Sequence, residues 1–120
     1  METATAGHAL MDVTTDTFEQ EVTNFPGVVL VDFWATWCGP CRILTPRVEE
    51  IAEKYKDNAQ VKIVAIDTDQ ESELSERFKI RSIPSLKVFI KGEVVNQSIG
   101  VVPTERIEDL VKDGLSRLTV

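Results

Sequence analysis

The stretch Val28-Val29-Leu30-Val31-Asp32-Phe33-Trp34, running on through Ala35-Thr36-Trp37 into Cys38-Gly39-Pro40-Cys41, decides how this 120-residue chain is read. Its first seven residues are apolar at both parities except at Asp32, which is the pattern of a strand buried on both faces. Beyond Cys41, the residues Ile43, Leu44, Val48, Ile51 and Ala52 recur near helical spacing as far as about Tyr55. A strand therefore passes into a helix, with two cysteines three residues apart at the junction. Pro46 lies inside that helix and is expected to kink it.

Outward from this junction the chain alternates strand and helix patterns. Residues 9–12 predict a short first strand. Thr14 can cap a helix over 15–22, with Asp16 and Glu19 placed to suit its dipole. Residues 24–27 form a turn cluster ending in Pro26-Gly27. Residues 61–67 predict a strand, and 71–78 a short helix with Leu74 and Phe78 four apart. Residues 85–90 and 93–99 predict two strands joined by Lys91-Gly92, a hairpin signal. Pro103-Thr104 opens a last helix whose Ile107, Leu110, Val111, Leu115 and Leu118 form one apolar stripe. Gly114, within that helix, is expected to cost about 1 kcal/mol relative to Ala. The order implies an α/β sandwich, with parallel strands first and an antiparallel hairpin at the other side of the sheet.

Hydrophobic residues make up 42% of the chain and charged residues 28%, so one domain with a self-sufficient core is expected. The formal net charge of −7 argues against binding nucleic acid or anionic lipid. No apolar run approaches the roughly 20 residues of a membrane helix. The start, Met1-Glu2-Thr3-Ala4-Thr5-Ala6-Gly7-His8, has neither a basic region nor an apolar core. We read 1–8 as a disordered tail, 9–120 as the domain, and the cytoplasm as the default compartment.

The cysteine pair permits several chemistries. Half a zinc site would need two more Cys or His ligands, and the chain has only His8; a symmetric dimer sharing the metal would supply them. Haem attachment needs His after the second cysteine, where Arg42 stands. A structural disulfide closing so short a loop would constrain the unfolded chain by only about 2 kcal/mol. Redox exchange has a mechanism at this spacing. Residues i and i+3 of a helical turn face the same way, and the helix N-terminus favours a thiolate at Cys38. Gly39 adds no side chain beside the sulfur, and Pro40 is tolerated in a first helical turn.

The segment from Val31 to Cys41, with Pro46 following, resembles the active-site stretch of the thioredoxin family. Arg81-Ser82-Ile83-Pro84-Ser85 resembles that family's cis-proline loop, and Phe89-Ile90-Lys91-Gly92-Glu93 and Ile99-Gly100 resemble its hairpin and final glycine. The resemblance runs from about Leu10 to Leu118. It implies the thioredoxin fold, a central mixed five-stranded sheet flanked by four helices, and a thiol–disulfide oxidoreductase.

By the same resemblance, Cys38 is the nucleophile, Cys41 resolves the mixed disulfide, and Asp32 exchanges a proton with Cys41. Burial should raise the pKa of Asp32. The peptide before Pro84 should be cis, leaving the Ile83 backbone to pair with an extended substrate. Trp37, Gly39, Pro40, Ile83, Pro84, Gly100 and Val101 would form the patch on which proteins dock, while Trp34 reads as core. The sequence also departs from the family's pattern. Ala65 stands where many members carry a Lys near the buried Asp, and Lys62 would substitute only in another register. Ser85 replaces the commoner Thr, and Arg42 keeps a positive charge near Cys38.

The implied partners are disulfide-containing proteins and, as electron donor, a thioredoxin reductase. No metal or organic cofactor is required, and a small acidic monomer is the simplest expectation. Gly39-Pro40 resembles reducing members rather than oxidants and isomerases. The rival readings are an oxidant or isomerase, and a non-catalytic binding subunit of a larger complex.

Overall fold

The computed structural model describes residues 8–118. Five strands, β1 (Met11–Asp12), β2 (Val28–Trp34), β3 (Val61–Asp67), β4 (Ser85–Ile90) and β5 (Glu93–Ile99), form one sheet in the order β1-β3-β2-β4-β5. The pairs β1·β3 and β2·β3 are parallel, whereas β2·β4 and β4·β5 are antiparallel. A short helical segment (Glu19–Thr23) and the helices α1 (Gly39–Lys54), α2 (Ser72–Arg77) and α3 (Thr104–Leu118) flank this sheet. The mixed five-stranded sheet with four flanking helical elements is the architecture that the family resemblance implies.

All seven residues of β2 are buried, as their unbroken apolar run requires. Their alternation divides the core. Val28, Leu30 and Trp34 pack with Leu44, Val48 and Ile51 of α1 and with Ile107, Leu110 and Val111 of α3. Val29, Val31 and Phe33 pack on the opposite face with Phe18, Val22, Leu74 and Phe89, where the partly buried Phe78 joins them. Asp32 shares the parity of Leu30 and Trp34, so it faces α1.

The first helix differs most from expectation. It was predicted over 15–22, but the regular helical segment begins only at Glu19 and is wide-turned, closing with Asn24 N–H on Glu19 O at 2.9 Å. The cause is local. Thr14 N–H donates to Thr17 Oγ1 at 2.9 Å, and Thr17 N–H donates to Thr14 Oγ1 at 3.3 Å. These reciprocal bonds give the backbone an alternative to a regular helical turn. The first strand is shorter than its predicted span, and α1 continues past Pro46. Of the tail expected over 1–8, residues 1–7 lie outside the described residues. His8 sits edge-on to Trp34, with ring centroids 5.0 Å apart, and its Nε2 lies 3.0 Å from Asp12 Oδ1. Among the described residues, no helix is long and apolar enough to cross a membrane.

Lys91 and Gly92 both adopt positive φ, 54° and 82°, which is the backbone of a tight hairpin turn between β4 and β5. Gly114 has a different reason from the one helix propensity suggests. A Cβ there would stand 2.7 Å from Val28 Cγ1 and 3.2 Å from Val88 Cγ1, so glycine is what lets α3 lie close on the sheet. Both neighbours are short, β-branched and buried, and neither side chain can swing away. Gly114→Ala is therefore expected to lower stability by about 1–2 kcal/mol through overpacking, against the gain of about 1 kcal/mol that propensity alone predicts. The sign of the shift in urea midpoint distinguishes the two.

Candidate active site

Strand register brings the sequence-predicted loops to one end of the sheet. Phe33 pairs with Ser85, Ser85 pairs with Ile99, and Trp34 pairs with Asp67. The segments that follow β2, β3 and β5, and the one that precedes β4, therefore emerge together. They carry the cysteines, Asp69, Gly100-Val101 and Ile83-Pro84 respectively.

Cys38 is the N-cap of α1 and Cys41 lies in its first turn. The two form a disulfide, with Cα atoms 5.3 Å apart. Cys41 N–H donates to Cys38 Sγ at 3.2 Å, so the sulfur takes the place of the oxygen that usually caps a helix. A thiolate at Cys38 would meet the same N–H and the positive end of the helix dipole. Both cysteines are buried, whereas Gly39 and Pro40 between them are exposed.

Asp32 is completely buried, and Thr45, one turn beyond Cys41 on α1, donates its hydroxyl to Asp32 Oδ2 at 2.9 Å. Burial pushes the Asp32 carboxyl up to about 7; the Thr45 hydrogen bond opposes the rise and the charge of Glu49 adds to it. The partner of Asp32 on β3 is Ala65, and on β4 it is Leu86. Lys62 does not substitute for the missing cation. It pairs with Val29, faces the opposite side of the sheet, and its Nζ is held by Glu21 Oε1 at 2.7 Å. A cleft of about 480 Å³, lined by His8, Trp34, Cys41, Arg42, Thr45 and Glu49 among others, opens beside these groups.

The peptide between Ile83 and Pro84 is cis. Pro84 is buried and its carbonyl accepts from Gly100 N–H at 2.8 Å, which ties the proline loop to the turn after β5. The β4 ladder begins only at Ser85, so the Ile83 backbone stands outside it. Trp37 is 68% exposed, Ile99 61% and Val101 40%, an apolar fringe at the same end of the sheet. Trp34, by contrast, is core.

Sequence reasoning missed two residues here. Asp69 Oδ2 accepts from Trp37 Nε1 at 2.7 Å and holds the exposed indole beside the cysteines. Its only sequence signal is the polar run Asp67-Thr68-Asp69-Gln70 after a strand, which by itself reads as a turn. Thr45 carries no signal, being a small residue at a helix position that faces the core. Arg42 extends along the surface and donates to Thr36 O at 3.1 Å. Among the described residues, no group of three or more His, Cys, Asp or Glu side chains is placed to hold a metal ion.

The Asp32 environment has a thermodynamic consequence. Between its ordinary value of 3.8 and about 7, folded Asp32 stays protonated while the unfolded carboxyl ionises. The folded state then binds more protons, and stability falls as pH rises through this window. Asp32→Asn removes the titration and keeps an acceptor for Thr45. The variant should match wild type near pH 4 and gain on it with rising pH, reaching on the order of 4 kcal/mol above about pH 8. Urea denaturation of the oxidised protein at a series of pH values measures this difference.

Comparison with known proteins converges on one family. The Thioredoxin family model matches residues 9–113. Thioredoxin 1 of Synechococcus elongatus (strain ATCC 33912 / PCC 7942 / FACHB-805) is 50% identical over 91 residues, which are 76% of this chain and 83% of that protein. The thioredoxin of Bacillus subtilis (strain 168) is 41% identical over 107 residues, 89% of this chain and 99% of its own. The chloroplastic M-type thioredoxin of Chlamydomonas reinhardtii is 44% identical over 104 residues, 87% of this chain and 73% of its own. With the cysteine pair at the N-terminus of α1, the cis peptide before Pro84 and the sheet order all in place, this chain belongs to the thioredoxin family.

Proposed function

We propose that this thiol–disulfide oxidoreductase reduces protein disulfides, with Cys38 as nucleophile, Cys41 as resolving thiol and Asp32 as proton acceptor. The observation that carries the reading is the Cys38–Cys41 pair closed at a helix N-terminus above a buried carboxyl. In the first step the Cys38 thiolate attacks a substrate disulfide, forms a mixed disulfide and expels one substrate thiolate. Asp32 then takes the Cys41 proton, and the Cys41 thiolate attacks Cys38 Sγ. The Cys38–substrate bond breaks, the Cys38–Cys41 bond forms, and the second substrate thiolate leaves. Two electrons pass to the substrate, and an external dithiol returns them.

A carboxyl titrating near neutrality suits this proton transfer, since it is a competent base at the operating pH and a ready donor in the reverse reaction. The exposed Trp37 and Val101, with Gly39, Pro40, Ile83, Pro84 and Gly100, form the docking surface, and the free Ile83 backbone pairs with an extended substrate segment. Proteins bearing disulfides are the substrates and a thioredoxin reductase is the donor. The net charge of −7 supports an acidic monomer that binds neither nucleic acid nor membrane, and the cytoplasm is its compartment.

Insulin reduction with dithiothreitol as donor tests the reading. Wild type should accelerate precipitation of the insulin chains and Cys38→Ser should abolish the acceleration. Equal turnover by Cys38→Ser, or none by wild type, would return the chain to a binding role. Asp32→Asn should keep the fold yet slow the release of the second thiolate at neutral pH by about 10²-fold. Stopped-flow reduction of a disulfide substrate reads that phase directly, and an unchanged rate removes Asp32 from the proton transfer.

A further inference from the structure

A threonine in the middle of a helix ordinarily returns its hydroxyl to a carbonyl one turn back. It also lowers helix propensity slightly, because its branched Cβ crowds the preceding turn. Thr45 carries that burden, yet it directs its hydroxyl away from the helix, onto Asp32 Oδ2 at 2.9 Å. The bond is buried, as Thr45 is 8% exposed and Asp32 wholly enclosed. Asp32 Oδ1, also buried, has no hydrogen-bond partner among the described residues.

The other groups around Asp32 make this bond the decisive one. On β3 its neighbour is Ala65, and on β4 it is Leu86, neither with a polar side-chain atom. On α1, Cys41 lies one turn before Thr45 and Glu49 one turn after, so the charged member of that stripe is an anion. From the N-terminal segment, His8 lines the cleft shared by Cys41, Thr45 and Glu49, and its Nε2 is directed to Asp12 of β1. Arg42 lines the cleft too, with its guanidinium on Thr36 O. Lys62 and Lys87 belong to the opposite face of the sheet, at the parities of Val29 and Phe89. Among the described residues, Thr45 is thus the one side chain that donates to the Asp32 carboxylate.

We infer that Thr45 is a positioning residue for the exchange reaction: its hydroxyl holds Oδ2, leaves Oδ1 to receive the Cys41 proton, and favours the ionised carboxylate that the step consumes. The inference deepens the proposed role of Asp32 as proton acceptor and rests on it. In that step the proton moves from Cys41 Sγ to Asp32, the Cys41–Cys38 bond forms, the Cys38–substrate bond breaks and the substrate thiolate departs. Thr45 keeps its own proton throughout.

Thr45→Val removes the hydroxyl and keeps the shape, Thr45→Ser restores the hydroxyl, and Thr45→Ala is the substitute if valine prevents cooperative unfolding in urea. Two readouts separate this inference from the one beneath it. Infrared difference spectra of the oxidised protein report the Asp32 carboxylate band against pH. Thr45→Val should raise its midpoint by about one pH unit, and Thr45→Ser should bring it back. Stopped-flow reaction of the reduced protein with excess dithionitrobenzoate reports the intramolecular step as the slower, first-order release of thionitrobenzoate. Its pH profile should move upward with the infrared midpoint, slowing the step several-fold at neutral pH. An infrared midpoint that is the same in wild type and Thr45→Val overturns the role of Thr45. A midpoint that moves while the rate profile stays in place overturns the role of Asp32 and leaves the Thr45 contact standing.

Discussion

A strand buried on both faces allows no register error, and β2 is such a strand. Sliding it by one residue against β3 or β4 would exchange the two halves of the core, sending Val29, Val31 and Phe33 toward α1 and Val28, Leu30 and Trp34 toward α2. The same slip would carry Asp32 away from α1 and from Thr45. The burial of six apolar residues, each worth about 1.5–3 kcal/mol, thereby holds the one polar residue among them where burial perturbs it most. Placement of the candidate site is a consequence of packing the strand.

Around that strand, each neighbour solves a separate problem of close approach. Helix α3 comes near enough to seal the α1 side because Gly114 has no side chain to meet Val28 and Val88. Helix α1 begins where β2 ends, so its unpaired N–H groups point at the cysteine that caps it. The loop before β4 meets the turn after β5 through Gly100 N–H and Pro84 O, which ties the two together, and Ile83 anchors the proline loop against both halves of the core. Buried apolar residues are concentrated in the sheet and its helices, while the exposed Trp37, Ile99 and Val101 gather at the end where the loops emerge.

The electrostatics of the site follow from what β3 omits. A lysine at the Ala65 position would stand beside Asp32 and favour its charge; an alanine leaves burial as the largest influence. Glu49 pushes in the same direction as burial, and among the described residues the Thr45 hydroxyl alone pushes back. The compensation is a neutral hydrogen bond rather than an ion pair, which avoids burying a second charge.

Much of this was legible in the chain itself. Strands β2 to β5 lie where their apolar runs and the Lys91-Gly92 turn predict, because strand burial and turn chemistry are local properties of sequence. The adjacency of Cys38 and Cys41 follows from their spacing on one helical turn. The helix predicted over 15–22 was misjudged, since Thr14 and Thr17 can bond their own backbone in a way periodicity does not register. Gly114 was misjudged for the opposite reason: its value lies in contacts with residues far away in sequence. Only the tertiary structure decided that Thr45 meets Asp32, that Asp69 holds Trp37 and that Lys62 belongs to the other face. Each is a pairing between elements whose separation in sequence carries no information about their separation in space, and each was settled by the register in which the sheet packs.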